Sequence, residues 1–138
     1  MAIEPRRVDV FFYGLFMDEA VLREKGLQPP VAEQATVEGF ALRIGQRATL
    51  VPSDGGVVYG MLFSLTLLEL STLYSEAGVK AYRPHAVLAR LMNGQSIPAL
   101  CYSLSDHSPS DSNPEYAAKL RAVAEKVELP RDYIDSLR

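Results

Sequence analysis

Val57-Val58-Tyr59-Gly60-Met61-Leu62-Phe63-Ser64-Leu65, followed at once by Thr66-Leu67-Leu68-Glu69, is the stretch on which the fold turns. Nine residues rich in β-branched, aromatic and aliphatic side chains form a strand, with Gly60 marking a bulge or a close backbone approach. The next four residues fit a capping box. The Thr66 hydroxyl accepts from an early helix N–H while Glu69 reaches back, so a helix over residues 67–74 begins where the strand stops. A strand therefore runs directly into a helix, and the neighbouring segments decide what surrounds them.

Upstream, residues 48–51 form a short run closed by Pro52, and Ser53-Asp54-Gly55-Gly56 has the composition of a turn. Phe40, Leu42 and Ile44 alternate with Ala41 and Arg43, the period of a half-buried strand. Residues 8–13 (VDVFFY) are almost continuously apolar, which predicts a strand buried on both faces. Gly14 ends that strand, Asp18 can cap a short helix over residues 19–25, and Gly26 stops it. Downstream, residues 75–81 form a loop containing Gly78. Residues 82–91 and 96–104 flank Asn93-Gly94, a strong hairpin signal. Residues 105–113 are a polar connection. Asn113-Pro114 then opens a helix over 115–127, with apolar Tyr116, Leu120, Val123 and Val127, and Pro130 opens a last short one. The expected fold class is α+β: a small mixed β-barrel or curled sheet of five to six strands with flanking helices.

The 138 residues suffice for one domain spanning 1–138, and 48% hydrophobic against 22% charged residues places the chain among ordinary globular proteins. Fourteen basic against seventeen acidic residues give a net charge of −3, without the basic face a nucleic-acid binder needs. No apolar run approaches the ~20 residues that span a bilayer. Residues 10–17 are interrupted by Gly14, end in Asp18-Glu19 and lack a small-residue cleavage site, so they read as strand and turn rather than as an export signal. The single cysteine, Cys101, has no internal partner, which fits a reducing, cytoplasmic location.

Nucleotide-binding, nucleophile-elbow and zinc-binding signatures are absent. His85 and His107 lack ligand-spaced partners and read as strand or surface histidines. Cys101 lies in a strand pattern, where a free cysteine behaves as a small buried hydrophobe. Asp106-His107 beside a serine is sequence adjacency within a polar loop, which makes no triad. Two features carry chemistry. In Tyr13-Gly14-Leu15-Phe16-Met17 a buried strand runs into a glycine turn before a helix. Such a turn either is an ordinary connection or presents unpaired N–H groups to a carboxylate or developing oxyanion. The second feature is Glu76, flanked by Ser75 and Ala77 and followed by Tyr82-Arg83. A loop glutamate is commonly solvated. In a partly apolar pocket its pKa would rise and it would serve as a proton shuttle.

Taken together, Tyr13-Gly14, Val58-Tyr59-Gly60-Met61-Leu62-Phe63, Glu76-Ala77 and Tyr82-Arg83 resemble, in order, the gamma-glutamylcyclotransferase-like superfamily. The hairpin segment Ala99-Leu100-Cys101-Tyr102 and the tail Leu129-Pro130-Arg131-Asp132-Tyr133-Ile134 resemble it too, so the likeness covers most of the chain. The resemblance implies a small mixed barrel and an intramolecular aminolysis, in which a gamma-glutamyl group cyclises to 5-oxoproline and releases an amine. It implies Glu76 as general base, the backbone of Gly14, Leu15 and Phe16 as the holder of the glutamyl end, and Tyr13 and Tyr82 as pocket residues. It implies no metal and no organic cofactor. Leu15 stands where the family often has a hydroxyl residue, and Ala77 where it commonly has glycine. Apolar Leu15 and Phe16 imply a pocket mouth more apolar than usual. A second function class is a non-catalytic small-molecule or protein-interaction module on the same barrel. A third is a hydrolase using Cys101 and His85. The expected partner is a small gamma-glutamyl compound, not a nucleic acid or a membrane, and the oligomeric state is open.

Overall fold

A computed structural model describes residues 6–30, 32–77, 79–104 and 113–137. The polar connection at 105–112, with Asp106 and His107, and Gly78 of the loop after the second helix lie outside the described residues. Among the described residues are five strands: β1 (Arg7–Phe12), β2 (Glu33–Ile44), β3 (Ala48–Thr66), β4 (Arg83–Leu91) and β5 (Ser96–Ser103). They close into a barrel in the order β1-β3-β2-β4-β5. Every ladder is antiparallel except β1–β5, which is parallel, sets Val10 opposite Leu100 and shuts the barrel. The class is therefore α+β with a mixed barrel, as the sequence predicts.

Four helices attach to it: α1 (Glu19–Glu24), α2 (Leu67–Leu73), α3 (Pro114–Lys126) and α4 (Arg131–Ser136). The capping box of α2 is present in full, with Glu69 N–H donating to Thr66 Oγ1 at 3.0 Å and Thr66 N–H to Glu69 Oε1 at 2.8 Å. Asp18 caps α1 by accepting from Ala20 N–H, and Asn113 caps α3 by accepting from Tyr116 N–H. α3 buries Ala117, Leu120 and Ala124. Small residues on two of its three innermost positions let the helix approach the barrel closely, with Tyr116, Val123 and Val127 packed around them.

β1 is covered on both faces, with Val10, Phe11 and Phe12 successively buried. Its tight fit explains Gly60. A Cβ there would stand 2.2 Å from the Phe12 carbonyl oxygen and 2.7 Å from the Phe11 ring. Gly60 is thus a close backbone approach, not a bulge. The bulge lies in β2 at Gly39, whose φ of 87° suits glycine.

Two expectations are corrected here. β2 begins at Glu33, well before Phe40, and Pro52 does not end β3. The ladder pairs Glu38 with Val57 and next Phe40 with Pro52, so residues 53–56 form an excursion within one long strand. Gly56 makes room for it, since a Cβ there would lie 2.3 Å from the Phe40 carbonyl oxygen.

Candidate functional site

At the end of β1 the chain turns through Gly14 into a single 3-10 turn, Leu15–Met17, closed by Met17 N–H donating to the Gly14 carbonyl at 3.0 Å. One side of a cavity of about 160 Å³ is built from this segment, from Phe11 to Phe16. Tyr74, at the end of α2, faces it together with Tyr82 before β4 and Tyr102 on β5. Tyr116 of α3 and Arg47 with Ala48 at the β2–β3 turn complete the wall. Five of the seven tyrosines in the chain therefore line one cavity.

These side chains hold one another. Tyr74 and Tyr102 stack with ring centroids 3.8 Å apart and planes 11° from parallel. Phe16 meets the Tyr74 ring edge-on at 5.9 Å. The Tyr13 hydroxyl donates to the Tyr102 carbonyl at 2.7 Å, and the Tyr82 hydroxyl donates to the Ala48 carbonyl. Burial pushes the Tyr13, Tyr74 and Tyr82 phenols far above their ordinary value. Each is a neutral hydroxyl at physiological pH, able to donate a hydrogen bond but not to act as a base. Tyr116 follows the same direction. Burial raises it, while backbone hydrogen bonds from Leu15 and Ala48 and the nearby Arg47 charge pull the other way.

Of the sequence-predicted residues, Tyr13, Gly14, Leu15, Phe16 and Tyr82 all line this cavity. Glu76 stands apart from its lining. Its carboxylate is held by Lys25, whose Nζ lies 2.9 and 2.7 Å from Oε1 and Oε2. The glutamate side chain is 47% exposed and the lysine 26%. Tyr74 and Val79, on either side of Glu76 in the chain, both reach the cavity, so the loop carrying Glu76 passes along its rim.

Sequence reasoning does not single out Tyr74, Tyr102, Tyr116 or Arg47 as site residues. The one available signal is composition, seven tyrosines in a chain without tryptophan. Cys101 and His85 are cross-strand neighbours on β5 and β4. Burial raises the thiol to about 12, partly opposed by hydrogen bonds from Ser103 and Tyr102, and burial lowers the His85 imidazole. At neutral pH the sulfur is a protonated, packed group, and the histidine is engaged with Ser103 Oγ at 2.9 Å, which removes the basis for a thiol hydrolase.

The profile of the AIG2-like family matches residues 57–137. A gamma-glutamylcyclotransferase from Bos taurus is 28% identical over 91 residues, which make up 64% of this chain and 48% of that protein. The chain thus spans about half the length of the curated relative it matches. Among solved structures, YkqA from Bacillus subtilis superposes with a TM-score of 0.80 at 26% identity, covering 96% of this chain and 53% of that one. A gamma-glutamyl cyclotransferase superposes with a TM-score of 0.79 at 21% identity, covering 96% of this chain and 86% of that one, a likeness of fold. Among the described residues no helix is long and apolar enough to cross a membrane.

Proposed function

The chain belongs to the AIG2-like family, and on that premise we propose that its tyrosine-walled cavity cyclises the gamma-glutamyl part of a small amine or peptide to 5-oxoproline. The α-amine attacks the side-chain carbonyl carbon, a new C–N bond closes the five-membered lactam, and the original amide C–N bond breaks to release the amine. Nucleophile and electrophile belong to one molecule, so the protein's task is orientation and proton transfer. Glu76 takes a proton from the α-ammonium group and returns one to the departing amine. To do so it leaves Lys25 and turns over the rim. The backbone of Gly14, Leu15 and Phe16 holds the glutamyl end, and the neutral hydroxyls of Tyr13 and Tyr82 shape the pocket.

The supporting observation is that the Gly14 turn and the residues bracketing Glu76, Tyr74 and Val79, border the same cavity. The experiment is a panel of gamma-glutamyl amines and peptides assayed for 5-oxoproline. Wild-type protein should turn over at least one of them, and Glu76→Gln should lower kcat by about 100-fold or more. Undiminished turnover in the glutamine variant would remove Glu76 from the role of base.

A second reading, a binding module without catalysis, is favoured by the pairing of Glu76 with Lys25 and by the lack of any carboxylate among the described lining residues. Binding of panel members without 5-oxoproline release, equal in wild type and Glu76→Gln, is its signature.

A further inference from the structure

Among the described residues lining the cavity, Arg47 alone carries a formal charge, and it is positive. Its place in the chain is fixed from two sides. Gly45 N–H donates to the Arg47 carbonyl at 3.0 Å across the hairpin tip, and Asn113 Nδ2 at the start of α3 donates to the Gln46 carbonyl at 3.1 Å. The next residue, Ala48, receives the Tyr82 hydroxyl. The Arg47 charge reaches the phenols of Tyr82 and Tyr116, where it opposes the upward push of burial. Among the described residues no carboxylate forms an ion pair with Arg47.

A guanidinium with no ion-pair partner among the described residues, beside an aromatic cavity of neutral hydroxyls, suits an anionic group on an otherwise neutral body. A planar guanidinium offers paired N–H donors that match a carboxylate. No carboxylate stands among the described lining residues to pair with an ammonium end, so a charged pairing there goes to an anion. We propose that Arg47 is the specificity-determining residue of this site, anchoring the carboxylate of the ligand, so that carboxylates are accepted and the corresponding neutral amides are discriminated against. For the cyclotransferase substrate that group is the α-carboxylate of the gamma-glutamyl unit. The naming of that ligand rests on the function proposed above, whereas the anion anchor rests on the cavity alone.

The test is calorimetric titration with two pairs of probes, 5-oxoproline against 5-oxoprolinamide and phenylacetate against phenylacetamide. Wild-type protein should bind 5-oxoproline about tenfold or more tightly than its amide, as expected for hydrogen bonds to a charged partner. Arg47→Met should abolish that preference while leaving amide binding unchanged, and Arg47→Lys should restore part of it. Arg47 is exposed at a hairpin tip, so thermal unfolding of the variants should match wild type. An Arg47-dependent preference confined to phenylacetate would uphold the anchor and overturn the gamma-glutamyl identity of its ligand. Turnover of a gamma-glutamyl compound with KM unaltered in Arg47→Met would overturn the anchor and leave the reaction standing. Absence of any carboxylate preference in wild-type protein also overturns it.

Discussion

Gly60 shows how little slack lies behind the cavity. Its α-carbon lies so close to the Phe12 carbonyl and the Phe11 ring that a methyl group has nowhere to go, and both of those residues also line the cavity. Backbone oxygen cannot swing aside as a side-chain tip can, so Gly60→Ala must push β1 and β3 apart. The expected cost is about 2–3 kcal/mol of overpacking, measurable as a lowered midpoint in urea unfolding. A variant as stable as wild type would mean that β1 shifts freely. The importance of Gly60 is legible in the sequence, because a lone glycine in an apolar strand forgoes packing and so marks a bulge or a close backbone approach. Arg47 is not legible in that way. An arginine in a turn reads as solvated, and only Tyr82 and Asn113, brought to the hairpin tip from ahead of β4 and from the start of α3, make it part of a cavity wall. The pairing of Glu76 with Lys25, 51 positions apart, is equally outside any periodicity.

Among the elements, α2 is the most fully specified by its own residues. Its cap lies within four consecutive positions, so the reciprocal hydrogen bonds of Thr66 and Glu69 follow from the sequence and are present. β2 is legible only from Phe40 onward because, of residues 33–39, only Ala35 and Val37 are buried, too few apolar side chains to show a period. The α2 cap also has a pH signature. Partial burial raises the Glu69 carboxyl, but hydrogen bonds from the Thr66 and Gln28 N–H groups and the Arg7 charge outweigh it, leaving the group below its ordinary value. A carboxyl depressed by folding stabilises the protein fully above its unfolded value of about 4.3 and progressively less as pH falls toward the folded value. Thr66→Ala should therefore cost about 1 kcal/mol at neutral pH. Glu69→Gln should lower the melting temperature at pH 7, with the gap to wild type narrowing as pH falls below about 4.3. A difference between Glu69→Gln and wild type that stays constant from pH 7 to pH 3 would refute the linkage.

For the molecule as a whole, the site exists because the barrel closes. β1 delivers the Gly14 turn, the β2–β3 tip delivers Arg47, β5 delivers Tyr102 and α3 delivers Tyr116, and only the parallel β1–β5 seam brings the first and third of these together. Ordered motifs in the sequence announce which pieces are present. They do not announce closure, which is a long-range pairing. One side chain couples the helical layer to the barrel mouth. Asn113 Oδ1 accepts from Tyr116 N–H at 3.0 Å, capping α3, while its Nδ2 holds the Gln46 carbonyl beside Arg47. The two roles separate by substitution. Serine caps a helix about as well as asparagine but is too short to keep the second bond, whereas alanine loses both. Asn113→Ser should therefore unfold within ~0.5 kcal/mol of wild type, and Asn113→Ala about 1 kcal/mol lower. If the tether sets the position of Arg47, both variants should bind 5-oxoproline several-fold more weakly than wild type, with 5-oxoprolinamide unaffected. Full-strength carboxylate binding by Asn113→Ser would show that the hairpin tip holds Arg47 in place unaided, through Gly45 and the Tyr82–Ala48 bond.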